Sequence, residues 1–368
     1  MSIKHIFNLV LFAMLLGFSS CDPDPGPTPN PNPGTGSNVV EVTKNIDNPT
    51  TWSKDSIYLI KKYDFYVNNT LTIEAGTIIK FHPTDGPYMV LGGSGTVVAV
   101  GAPTAPIIFT SFKDDANGGD TNGDGSGTTP ARKDWGDINT NGLNGSRFEY
   151  CKFYYGGNSS YSGTLTIESG SKATVKYCTF AHNDGSNGKG WYGVLNASDA
   201  SANTIIQDNI FYDNIRPLSI STAFDIDQSN VFHNPDDPTE INQYNGIMVN
   251  SINEITAAIK WDETEVPFVI DDNDFWINSG GSLTLANNVV IKFRPSSTLL
   301  LDIGSSALVN HSNAIFTSYK DDSRLGDTNG DGSATSPGSG DWEGIYDNTV
   351  PVGDPGYFTW SNIYYDNH

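Results

Sequence analysis

The chain is predicted to be all-β and to fold as a right-handed parallel β-helix, a solenoid of short coils. Three observations carry this expectation. Gly (38 residues) and Pro (20 residues) are frequent and only 17% of residues are charged, a composition of turns and short strands in place of long helices. Long segments return far along the chain: LTIEAGTIIKF (71–81) as LTLANNVVIKF (283–293), IIFTSFKDD (107–115) as AIFTSYKDD (314–322), and FEYCKFYY (148–155) against FTWSNIYY (358–365). Finally, a short unit recurs in which Cys or Asn precedes an aromatic by two positions: Cys151/Phe153, Cys178/Phe180, Asn209/Phe211, Asn230/Phe232 and Asn362/Tyr364. In the first four of these the aromatics are 27, 31 and 21 residues apart. A unit of that length cannot bury both its faces alone, but stacked on its own kind it forms continuous apolar ladders.

In chain order, residues 1–20 read as a signal segment: a basic Lys4, an apolar run from Ile6 to Phe18, then small residues. The run is too short to span a bilayer. The following GFSSC resembles a bacterial lipobox, which makes Cys21 the expected lipidation site and the membrane an expected partner through that anchor. Residues 21–38, rich in Pro, Asn and Gly, read as an extended tether. Asp22 and Asp24 directly after the cysteine resemble a surface-export signal, so the expected location is the outer membrane, facing outward. Residues 39–250 are expected to form a first β-helix unit, and 251–368 a second, incomplete unit continuing the same solenoid. Cys151 and Cys178 share the contexts YCKF and YCTF and are expected on adjacent coils, either as a disulfide or as two stacked thiols. The formal charge of −22 argues against a nucleic-acid partner and suits a protein that gathers divalent cations.

The most distinctive string is GGDTNGDGSGTTPARKDWGDI (118–138), which returns as LGDTNGDGSATSPGSGDWEGI (325–345). Asp120, Asn122 and Asp124 alternate with small residues ahead of Gly125, the opening of a calcium loop, with the Ser126 carbonyl in place for a further ligand. Asp327, Asn329, Asp331 and Ser333 repeat the arrangement. An EF-hand would need Glu six positions after the glycine, where this chain has Ala131 and Gly338. Asp134 and Asp341 are candidates for the missing carboxylate, and Asp115 and Asp322 are the alternatives. A metal-free, Asx-rich turn is the competing reading. Calcium is favoured, because so acidic a chain offers these carboxylates few cationic neighbours; Lys113 and Lys320 are the exceptions.

The pattern IxFTSxKDD…GDTNGDG…DW within such coils resembles the right-handed parallel β-helix repeat lipoproteins of Bacteroidota over about residues 60–368. The resemblance implies a solenoid and a secreted habit, not one activity. Trp135 and Trp342 follow the loops and are expected to cover a coil edge in preference to stacking on a sugar. Trp191 and Tyr192, in a Gly-rich stretch without a repeat counterpart, are the candidates for ligand contact. A calcium-dependent polysaccharide lyase would need a base, and Arg132 or Lys133 would serve, but the second copy has Ser339 and Gly340 there. The expected function is therefore a calcium-stabilised surface protein that binds a glycan or a neighbouring cell surface, with the lyase or a glycoside hydrolase as the alternative.

Overall fold

A computed structural model describes residues 38–82, 87–141, 145–159, 162–185, 191–271, 273–351 and 356–368. The expected signal segment, Cys21 and the tether up to Ser37 lie outside the described residues. The described chain is a parallel β-helix. A seven-stranded sheet runs from Asn38–Val42 to Ile210–Tyr212, a ten-stranded sheet from Asp64–Val67 to Ile315–Ser318, and a six-stranded sheet from Thr50–Trp52 to Ile205–Gln207. Two three-stranded parallel sheets flank the later coils, and one antiparallel hairpin, His233–Asn234 with Asp237–Ile241, interrupts the winding. The ten-stranded sheet passes through Ile247–Asn250 and Phe268–Ile270 without a break, so both units share one column.

Four members of the short sequence repeat, extended at one end by Phe109, are the core ladder of this column, and the fifth, Tyr364, is half-buried outside it. Phe109, Phe153, Phe180, Phe211 and Phe232 stack coil upon coil, with ring centroids 5.0, 4.6, 5.1 and 5.5 Å apart, close to the spacing of neighbouring strands. All five are fully buried. The Cys/Asn position two residues earlier is a corner. The residue before it has a left-handed backbone, at Tyr150 (φ 50), Tyr177 (φ 55) and Asp208 (φ 56), which turns the chain from one sheet to the next. In-register pairing of Lys152 with Thr179 places Cys151 beside Cys178 on adjacent coils. They are buried free thiols whose Sγ atoms face the carbonyls of Ala99 and Phe148. Burial holds the Cys151 thiol well above its ordinary range.

A second polar ladder lines the next corner. Asn214 accepts from the Asn183 backbone at 3.1 Å and donates to Phe180 O at 2.8 Å and to Asn242 Oδ1 at 2.9 Å. The Asn183, Asn214 and Asn242 amides are thereby satisfied by the coils above and below, which fixes the register of coils whose lengths differ. Asn214→Ala is expected to cost about 3 kcal/mol, since several buried partners lose their bonds at once; thermal or urea unfolding measures it, and a loss below about 1 kcal/mol would mean that the ladder is ornamental.

The long repeat enters the column out of phase. Ile78–Phe81 and Ile107–Ser111 belong to the seven-stranded sheet, whereas their counterparts Val290–Phe293 and Ile315–Ser318 belong to the ten-stranded one. The first acidic loop therefore bridges the seven- and ten-stranded sheets, and the second leaves the ten-stranded sheet for the strand Gly344–Asp347.

Candidate metal loops and an aromatic groove

Each acidic loop is tied to the column at two places. Lys80 lies mid-strand with its side chain on the outer face, yet the loop covers it completely. Its Nζ donates to Asp114 O (2.8 Å), Gly119 O (2.8 Å) and Thr121 Oγ1 (2.9 Å). Lys292 does the same for the second copy, donating to Gly326 O at 2.7 Å and Thr328 Oγ1 at 3.1 Å. Burial lowers both amines to about 8 while the aspartates around them pull the other way. The second tie is a clasp at the loop stem: Asp134 receives Lys113 Nζ (2.7 Å), Ser111 Oγ (2.6 Å) and the Ala131 amide (3.0 Å). Asp341 receives Lys320 Nζ (2.6 Å), Ser318 Oγ (2.7 Å) and the Gly338 amide (3.0 Å).

These clasps hold Asp134 and Asp341 at the loop stems. Asp134 and Asp341 are not brought to the loop oxygens, because the lysine two residues beyond each preceding strand captures them. The alternatives are brought there. Asp115, Asp120 and Asp124 each place a carboxylate oxygen within 4.8 Å of the others, and Asp322, Asp327 and Asp331 do likewise. Asp120 accepts from the amides of Gly123 (2.7 Å) and Gly125 (2.8 Å), and Asp327 from those of Gly330 (2.6 Å) and Gly332 (2.7 Å). Gly123 and Gly125 have φ of 75° and 71°, which a side chain would strain, so the tight curl depends on glycine.

Asp124 is held below the usual carboxylate range chiefly by the Thr128 hydroxyl, and Asp331 by that of Thr335. Asp115 and Asp322 are pushed upward, first by burial and then by the charges of Asp120 and Asp327. One oxygen of each, Oδ1, is buried without a hydrogen-bond partner. Asn122 and Asn329 turn their amides onto the neighbouring Asp and Thr of their own loops, and Ser126 and Ser333 are exposed. An all-oxygen donor set of this kind suits a hard cation such as calcium.

Trp135 and Trp342 are core residues. Each is fully buried and stacks on a phenylalanine, Phe81 or Phe293, at 4.1 Å, with its indole N–H donated to the carbonyl of Tyr154 or Tyr364. Trp191 is half-buried: the Arg294 guanidinium lies 3.8 Å from its ring centroid and Arg216 5.6 Å away, so the ring is already shared with two cations. Tyr192 is half-buried beside it.

An open groove of about 540 Å³ lies elsewhere, on the outer face of the seven-stranded sheet. Ile108, Lys152, Tyr154 and Thr179 of the sheet line it together with Pro103, Pro106 and the loop residue Asn117. Its lining includes a stacked pair, Tyr150 on Tyr177, with centroids 4.7 Å apart, and Lys176 Nζ lies 5.2 Å over the Tyr177 ring. Both tyrosines occupy the left-handed corner position and so project outward. The Tyr that precedes each of the two cysteines was the available signal for this wall. Arg132 and Lys133, beside the first loop, are committed to ion pairs with Asp213 and Asp184. No family model, curated protein or solved structure matches the chain.

Proposed function

We propose that this is a lipid-anchored protein of the outer membrane surface whose β-helix is stabilised by calcium in its two acidic loops and which holds an extracellular glycan in the tyrosine-walled groove. The observation that carries the binding half is the stacked pair Tyr150 and Tyr177 at a groove of mixed lining: one face of each ring is taken by the other and Lys176 lies 5.2 Å over the Tyr177 ring, which leaves ring edges, prolines and polar groups such as Lys152 and Thr179 for a sugar. The calcium half rests on three converging carboxylates in each copy, of which one, Asp115 or Asp322, has a buried oxygen lacking a partner. The anchor rests on the signal segment and Cys21. Binding is favoured over cleavage because Arg132 and Lys133, the basic groups a lyase would use, are held by carboxylates.

Affinity electrophoresis through gels containing neutral or uronate-rich polysaccharides tests the groove. Retardation by at least one class is expected, and Tyr177→Ala should reduce it about tenfold. Unaltered migration in every gel, or retardation that Tyr177→Ala leaves intact, would remove the groove as the binding site. Release of unsaturated sugars would transfer the reading to a lyase.

A further inference from the structure

A histidine and two carboxylates meet where the inserted hairpin rejoins the column. His182 follows the strand Thr179–Ala181, Asp213 follows Ile210–Tyr212 on the next coil, and Glu240 sits on the hairpin strand Asp237–Ile241. Left-handed backbone at His182 (φ 59) and Asp213 (φ 45) turns both side chains outward at the corner. His182 Nδ1 lies 2.7 Å from Asp213 Oδ2, and one ligating atom of each of the three residues lies within 4.8 Å of the others. All three are half-buried, reachable from solvent but not freely mobile.

Each of these groups is also steadied from behind. Arg132 donates to Asp213 Oδ1 and to its main-chain oxygen. Asn234 Nδ2 donates to Glu240 Oε2 at 2.6 Å. The His182 ring stacks on Tyr155, with centroids 5.4 Å apart and planes 15° apart, and meets the Tyr212 ring edge-on at 5.7 Å. Outer partners of this kind orient the ligands of metal centres. The donor set, one imidazole nitrogen with two carboxylate oxygens, differs in kind from the oxygen-only acidic loops.

We propose that His182, Asp213 and Glu240 form a third cation site, selective for a borderline transition ion such as Zn²⁺ over calcium. Ligand atoms about 2.0–2.2 Å from a tetrahedral ion sit roughly 3.3–3.6 Å from one another. The His182–Asp213 contact of 2.7 Å therefore needs to open by roughly 0.6–0.9 Å once the ion replaces the shared proton. Charge is favourable too, since two carboxylates outweigh the single Arg132 guanidinium. The ion would staple the hairpin 233–241 to the column.

Cobalt(II), a coloured surrogate for zinc, tests the site in the full chain held in detergent with millimolar calcium present throughout. The expected result is one equivalent bound, with a visible absorption band that zinc abolishes. His182→Ala should weaken binding at least tenfold. Glu240→Gln, on the hairpin, should do the same without changing the melting temperature of the metal-free protein, which keeps the test clear of folding defects. Asp327→Asn, in the second acidic loop, should leave cobalt binding unchanged. No absorption band, or equal binding by wild type and Glu240→Gln, overturns the proposal.

Discussion

Lys80→Met is expected to destabilise the column by about 3 kcal/mol and to free the first acidic loop. Methionine fills the space of the lysine stem but leaves the Asp114 and Gly119 carbonyls and the Thr121 hydroxyl without their shared donor. Because the ammonium is fully enclosed, water cannot substitute for it. Lys292→Met should act in the same direction and less strongly, with two such bonds lost. Lys61→Met, which removes only an exposed pair with Glu41, should change stability by about 0–1 kcal/mol. Thermal unfolding gives the energies, and hydrogen exchange at Gly123, Gly125 and Gly127 reports the loop. Protection there equal to wild type in Lys80→Met would show that the loop is held by something else.

Calcium in hundredfold excess over its dissociation constant is expected to add about 2.7 kcal/mol of stability per occupied loop, read as a rise in melting temperature. The two candidate ligand sets predict opposite behaviour for two variants. Asp115→Asn should be more stable than wild type without calcium, because it removes a carboxylate that burial and Asp120 both disfavour, and should lose the first loop's calcium increment. Asp134→Asn should be less stable at every calcium concentration, because it breaks the Lys113 clasp, and should keep the increment. The sign with pH follows from the same shift. The Asp115 carboxyl is raised in the folded state, so its contribution is favourable in acid and is lost as pH climbs through the folded value. Calcium should therefore rescue more stability at pH 7 than at pH 4. A melting temperature indifferent to calcium would remove the metal from both loops.

What could be read from the chain was what repeats. The phenylalanine ladder, the alternation of coil and corner, and the acidic loops all recur at spacings that only stacking explains, and the parallel sheets have that form. The lysines escaped because a lysine inside IIKF or VIKF reads as a solvent-facing strand residue; the segment that encloses it arrives more than thirty residues later. Both copies carry it, and that duplication was the visible clue. The choice between Asp115 and Asp134 was likewise undecidable from spacing, since both lie near the loop along the chain and only the position of Lys113 separates them in space. The His182 cluster has no motif at all. Its members come from two successive coils and a hairpin, brought together by corners whose left-handed turns a single sequence does not announce.

The mismatch between the repeat and the winding has a consequence for how the molecule meets its surroundings. Had the duplicated block been a whole number of turns long, both acidic bulges would project from one flank, their negative charges aligned along a single meridian. Because the second copy begins one face later, the bulges point to different compass bearings around the shaft. A flat neighbour that meets one bulge therefore has the other turned away from it.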